Sequence, residues 1–250
     1  MSLPGQIEKK LVSRVRRGPI CAALIDPEDF SSRQAAETAV SAERAGVAMI
    51  LVGGSTLADT SRLDSVVKAI RGHVTRNIPV ILFPGNVTGV SKFADAILFS
   101  SLLNSTNPYF IIGAQAIGSM AVHKAGIETI PMGYLVFGNS SSTSFIAQVN
   151  SLPPSKPNLA AIYALAAKYL GMRSLYLEAG SGSHDPIPAE TIKLVRKYYD
   201  GLLIVGGGIT SAETAGRAAK AGADILVIGN LLQTEGYQKT LQDIVKSARR

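Results

Sequence analysis

The amino-acid sequence predicts an α/β fold: one domain over residues 1–250, built as a closed barrel of parallel strands alternating with helices, with one helix missing or truncated. Three observations predict it. Eight short, near-continuously apolar runs recur along the 250-residue chain, as expected of parallel strands buried on both faces. Most are separated by segments of helical periodicity, and such alternation closes into a TIM-type (β/α)8 barrel at about this length. One interval, after the third run, is too short for a full crossover helix. A doubly wound open sheet competes, but no GxGxxG follows the first run.

The elements follow in order. Ile7, Leu11, Val12 and Val15 fall at helical spacing within a basic segment, which reads as an amphipathic helix with a solvated face. The strand candidates are ICAALID (20–26), AMILVGG (48–54), PVILFPG (79–85), AILFSSL (96–102), TIPMGYLVF (129–137), SLYLEAG (174–180), LLIVGGG (202–208) and ILVIGN (225–230). Three intervening segments, SRQAAETAVSAERAG, NLAAIYALAAKYLG and TSAETAGRAAKAG, are helical patterns ending in glycine, a common stop. Thr210 and Glu213 have the spacing of a capping box for the last. Only the ten residues NVTGVSKFAD separate PVILFPG from AILFSSL, so the helix after the third strand is missing or truncated. PYFIIGAQAIGSMAV (108–122) is too short to span a membrane and reads as a buried helix, although an exposed apolar face there would be a candidate interface for a homo-oligomer. The Ser-, Asn- and Pro-rich stretch 138–157 reads as a lid over the catalytic end.

Composition narrows the function classes. The chain is 46% hydrophobic with a formal charge of +7, but its positive residues are scattered over helix faces and no aromatic stacking platform accompanies them. A nucleic-acid-binding module is therefore disfavoured, whereas anionic small substrates and peripheral contact with an anionic membrane suit the charge. No apolar h-region follows the basic N-terminal segment, and no run has membrane-spanning length. A single cysteine, Cys21, sits in an apolar run, which fits a core residue in a reducing, cytoplasmic setting. His73, His123 and His184 lack metal-ligand spacing, and neither Walker A, GxSxG nor CxxC occurs.

Chemistry in such barrels sits where the strands end. The sixth, seventh and eighth endings are Glu178-Ala179-Gly180-Ser181-Gly182, Gly206-Gly207-Gly208 and Gly229-Asn230, on one part of the rim. The stretches 176–184, 206–216 and 229–238 contain no Lys or Arg. A phosphate there would be held by backbone N–H groups and helix N-termini, for which glycine clears the approach. Asp26 and Ser55 end the first two strands and offer hard oxygen ligands for Mg²⁺; alone, Asp26 reads equally well as a helix cap. Glu178 can bind a substrate hydroxyl or accept its proton, or else form a structural ion pair.

The segments LIDPED, ILVGGST, ILFPGN, IPMGYLVF, LYLEAGSG, VGGGI and VIGN, in this order from Ile20 to Asn230, resemble the geranylgeranylglyceryl phosphate synthases. These are archaeal-type ether-lipid prenyltransferases, related to bacterial heptaprenylglyceryl phosphate synthases. The resemblance implies a modified TIM barrel and the substrates sn-glycerol 1-phosphate and geranylgeranyl diphosphate. It implies Mg²⁺ at Asp26 and Ser55. It implies glycerol 1-phosphate at Tyr176, Leu177, Glu178, Ala179, Gly180, Ser181, Gly182, Gly207, Gly208, Gly229 and Asn230. The chemistry of ether formation makes Glu178 the candidate to orient the attacking hydroxyl and take its proton. The prenyl tail would lie in an apolar groove along strands two to five. Gly133 departs from the pattern, where alanine is expected. VGGGI and VIGN alone equally fit another phosphate-binding barrel, such as an amino-acid biosynthesis isomerase.

Overall fold

In a computed structural model, which describes residues 3–54, 59–138, 142–180, 183 and 185–249, eight parallel strands close into a barrel in sequence order. They are β1 (Ile20–Ile25), β2 (Met49–Val52), β3 (Val80–Leu82), β4 (Ala96–Leu102), β5 (Glu128–Val136), β6 (Ser174–Glu178), β7 (Leu202–Gly206) and β8 (Ile225–Ile228). β8 pairs with β1, Ile20 opposite Ile225, which closes the ring. Each expected strand lies where its apolar run lies. Alternate residues face two cores, because successive side chains of a strand point to opposite faces. Met49, Leu51, Ile81, Leu98, Met132, Tyr176 and Ile204 fill the barrel. Ile50, Val80, Ile97, Leu175, Leu177 and Leu203 pack outward beneath the helices.

The helices are α1 (Gln6–Val15), α2 (Ser32–Arg44), α3 (Thr60–His73), α4 (Ala114–Ala125), α5 (Ser142–Ile146), α6 (Pro157–Tyr169), α7 (Ala189–Tyr198), α8 (Ala212–Lys220) and α9 (Tyr237–Ala248). A π-helical turn, Tyr109–Gly113, leads into α4. The amphipathic α1 closes the N-terminal end of the barrel with Leu11, which is buried against the interior cluster. Glu128, first in β5, accepts the amides of Ile7 and Glu8 at 2.8 Å each and so satisfies N–H groups that α1 leaves unpaired. Arg173 pairs with the buried Glu8 through two bonds of 2.7 and 2.8 Å.

The segment 83–95 between β3 and β4 contains no helix, as its length predicts. It is a strap held from the side. Asp95 accepts from Val80 N at 2.7 Å and from Arg71 at 2.8 Å. Ser91 donates to Asp64 at 2.6 Å, and the Lys68 ammonium lies 4.1 Å from the centre of the Phe93 ring. The barrel flank is consequently open between this strap and α4.

Two expectations are corrected. The cap of α8 is Ser211 with Thr214, not Thr210 with Glu213. Gly208 adopts φ +70 and the Thr210 amide turns back to its carbonyl, so the chain is not ready to enter the helix until one residue later. The stretch 108–122 is not wholly buried: Ile112, Ile117 and Met120 are 61–66% exposed and form an apolar outer face on and just before α4. Periodicity shows which residues share a stripe, but not whether anything covers it. Among the described residues, no helix is long and apolar enough to cross a membrane.

Candidate active site

The C-terminal ends of the strands surround a cavity of about 380 Å³, lined by Asp26, Gly53, Gly54, Glu178, Gly229 and Asn230 on its polar side. Its apolar side runs out through the open flank, over Ile97 and Phe99 of β4, between Val87 and Val90 of the strap and Phe110, Gly118 and Val122 near α4. This apolar part has the strap and α4 as walls and β4 as floor.

Glu178 ends β6 opposite Gly206. Its side chain points into the barrel mouth, because Tyr176, two residues earlier, fills the interior. The carboxylate is buried, accepts the Gly180 amide at 2.7 Å and is hydrogen-bonded to the Tyr176 hydroxyl. Burial pushes its pKa above the usual carboxylate range, and these two bonds oppose the rise. A carboxylate raised in this way holds a proton more readily than an exposed one, as suits a group that exchanges protons with a substrate.

Below it, Tyr176, Tyr134 and Phe83 form an aromatic floor. Phe83 stacks on Tyr176 at 5.2 Å, and Tyr134 meets both edge-on at 5.5 and 5.2 Å. Burial, then the nearby Glu178 charge, holds both phenols well above their ordinary pKa, so they remain neutral hydrogen-bonding groups. Tyr134 is also hydrogen-bonded to Thr143 of α5. Within the stretch read as a lid, Thr143 is therefore tied to the site, and Asn104 joins Asn150 of that stretch to β5 by donating to the carbonyls of Val136 and Asn150.

The glycines explain how these side chains fit. A Cβ on Gly206 would lie 1.9 Å from the Tyr176 hydroxyl, and one on Gly207 would lie 2.6 Å from Glu178 Oε1. The seventh strand ending is glycine-rich partly to admit the site's own side chains, beyond any phosphate. Gly229 differs, since a Cβ there would meet nothing nearer than Leu24 at 3.8 Å. It faces the cavity beside Asn230, at the start of a 3-10 turn.

Asp26, ending β1, lies half-buried across Gly54, where a Cβ would come 1.9 Å from its Oδ2. Its Oδ1 accepts the Glu28 amide at 2.9 Å, and burial raises its pKa. The two readings of Asp26 both have a basis: one oxygen serves the local turn while the carboxylate lines the cavity. No cluster of three or more His, Cys, Asp or Glu occurs among the described residues.

The site thus gathers Asp26, Glu178, Gly229 and Asn230 on the cavity wall, with Tyr176, Gly180 and Gly207 in support. Gly208 packs against Pro186 and Asp185. The Leu177 and Ala179 side chains belong to the outer layer, so they offer the site no polar side-chain group. Ser55, Ser181 and Gly182 lie outside the described residues, as does His184. Cys21 is buried, and its thiol pKa is pushed up to about 12, which leaves it inert. Gly54 and Phe83 fall at strand endings in the sequence but carry no role there, and Tyr134 and Phe83, set in near-continuous apolar runs, look like strand core.

Residues 14–248 match the PcrB family. The chain is 48% identical over 233 residues to a geranylgeranylglyceryl phosphate synthase of Methanothermobacter thermautotrophicus, covering 93% of this chain and 94% of that one. It is 50% identical over 241 residues to a protein of the same name from Cenarchaeum symbiosum, covering 96% and 97%. A crystal structure of (S)-3-O-geranylgeranylglyceryl phosphate synthase from Thermoplasma acidophilum, in complex with its substrate sn-glycerol-1-phosphate, superposes with a TM-score of 0.93 at 35% identity over 99% of each chain.

Proposed function

The chain belongs to the PcrB family, and we propose that it joins sn-glycerol 1-phosphate to geranylgeranyl diphosphate through an ether bond, releasing diphosphate. The observation that carries this reading is the position of Glu178, a buried carboxylate between a polar strand-end rim and an apolar groove. Such a junction suits one small anionic substrate and one long hydrocarbon. It distinguishes prenyl transfer from isomerisation of a polar metabolite, which has no use for the groove.

Glycerol 1-phosphate is assigned to the rim of β6, β7 and β8, where Gly229, Asn230 and the start of α8 present backbone groups. No lysine or arginine occurs in 206–216 or 229–238, so the anion is held by N–H dipoles rather than by side-chain charge. Ser181 and Gly182 join it on the strength of the family resemblance. The C3 hydroxyl attacks C1 of the prenyl donor as the allylic C–O bond breaks. Glu178 takes the hydroxyl proton, and holding both substrates at one mouth makes the encounter intramolecular in effect.

Mg²⁺ fits Asp26, whose carboxylate lines the cavity and is a hard oxygen donor; Ser55 is proposed beside it. A single protein carboxylate suffices where substrate phosphates and water complete the shell. Bound there, Mg²⁺ would neutralise the leaving diphosphate. A cytoplasmic, homo-oligomeric enzyme with peripheral membrane contact is proposed from the lone buried cysteine, the apolar face of α4 and the lipidic product. The test is incubation with both substrates and Mg²⁺, scored by product mass, with controls lacking Mg²⁺ or containing glycerol 3-phosphate. A metal-dependent, enantiomer-selective ether is expected. Absence of ether with any prenyl length would sink the proposal.

A further inference from the structure

The two walls of the apolar groove are anchored independently. On the α4 side, Ser101 donates to the Ile111 carbonyl at 2.7 Å, and Gln115 donates to the carbonyls of Ser100 and Phe110. These bonds fix the π-helical turn to the β4 floor. On the other side, Thr60 donates to the Thr88 carbonyl at 3.2 Å, and Ser91 and Phe93 hold the strap to α3. Nothing in this arrangement requires the walls to touch. A side-chain hydrogen bond nevertheless joins them: the Tyr109 hydroxyl donates to Asn86 Oδ1 at 2.7 Å.

Both ends of that bond are set in place. The Asn86 oxygen also accepts the Val87 amide at 2.8 Å, while its carbonyl takes the Gly89 amide at 3.0 Å, so the asparagine is fixed within a tight turn. That turn is compact enough that a Cβ on Gly89 would lie 2.5 Å from Pro84 Cβ. The Tyr109 ring meets Phe110 edge-on at 5.0 Å, and Phe110 lines the groove. Asn86 is exposed whereas the floor residue Ile97 is buried. Asn86 also lines the cavity, so the bond bridges the groove at its solvent side.

We infer that the Tyr109–Asn86 bond is a clasp over the prenyl groove, which retains long donors and sets the preference for them over short ones. This rests on the prenyltransferase reading of the same site. A chain long enough to lie beneath the bond is held until the bond opens. A donor that stops at the mouth never passes under it. One exposed hydrogen bond is weak enough to open readily for loading, yet strong enough to slow escape.

The test compares kcat/KM for geranylgeranyl diphosphate and dimethylallyl diphosphate, at saturating glycerol 1-phosphate and Mg²⁺, in the wild type, Tyr109→Phe, Asn86→Ala and the double variant. Dissociation of geranylgeranyl diphosphate is followed in parallel, and thermal melts confirm folding. Tyr109→Phe keeps the ring and its packing on Phe110, so it removes the bond alone. The expected result is a two- to tenfold (about the worth of one hydrogen bond) fall in the long-to-short ratio, with faster release of the long donor. The double variant should be no worse than Asn86→Ala, which already lacks the bond. An unchanged ratio, or equal loss with both donors, overturns the clasp while leaving the ether reaction standing. Absence of ether in the wild type overturns both.

Discussion

The β6–β8 side of the barrel mouth and its β3–β5 side are built from the same repeating unit, yet they differ in what has been removed. On the first side, side chains are removed: Gly206, Gly207 and Gly229 leave room for Tyr176, for Glu178 and for the cavity. On the second side a whole helix is removed, and an apolar trench lies between the strap and α4. The difference teaches how one scaffold can take two unlike substrates. A small anion needs close backbone approach, which glycine permits. A long hydrocarbon needs area, which only the loss of an element supplies.

The largest expected effect comes from the residue where the two sides meet. Glu178→Gln should lower ether formation by about 10²- to 10⁴-fold while the protein still folds. Wild-type rates in this variant would remove the proton acceptor from the account. The pH dependence has a definite sign. Burial raises the pKa of Glu178, so turnover should fall as pH drops through that raised value. Stability runs the other way: the charged form is penalised in the folded state, so the wild type loses stability relative to Glu178→Gln as pH rises from the unfolded to the folded pKa. Melting curves across pH should show the variant equal in acid and relatively more stable at higher pH.

Asp26→Asn comes next. It should abolish the response of turnover to Mg²⁺ while leaving glycerol 1-phosphate binding measurable, which a metal titration of each protein would show. An unaltered metal response would return Asp26 to its role as a turn cap.

Smaller effects separate the two sides. In Gly207→Ala the new methyl would press on Glu178 and the backbone would leave its φ of +78, so a loss of about tenfold to a hundredfold is expected from misplaced chemistry. Gly118→Phe grows into the trench instead: Gly118 lines the cavity and a Cβ there meets only Val87, on the facing wall at 3.8 Å, so the ring obstructs the path of the tail. It should shift preference toward shorter donors, read by competition between prenyl diphosphates.

Much of this was legible in the sequence. The β4 run was read with its bounds intact, and Asp26 and Glu178 were singled out because strand ends in a barrel converge on one mouth. The open flank followed from counting the residues between two apolar runs. What escaped was whatever depends on which neighbour a side chain meets. Tyr134 and Phe83 look like core, since each sits in a near-continuous apolar run. The outer face of α4 looks buried, since an uncovered apolar stripe has the same spacing as a covered one. The cap of α8 slipped by one residue because the left-handed turn at Gly208 delays the helix.

The most direct test of the division between the two sides is a crossed measurement of KM for each substrate in Gly207→Ala and Gly118→Phe. The account predicts that Gly207→Ala raises KM for glycerol 1-phosphate more than for geranylgeranyl diphosphate, and that Gly118→Phe does the reverse. Equal shifts of both constants in each variant would contradict it, because the two substrates would then not occupy separate sides of the mouth.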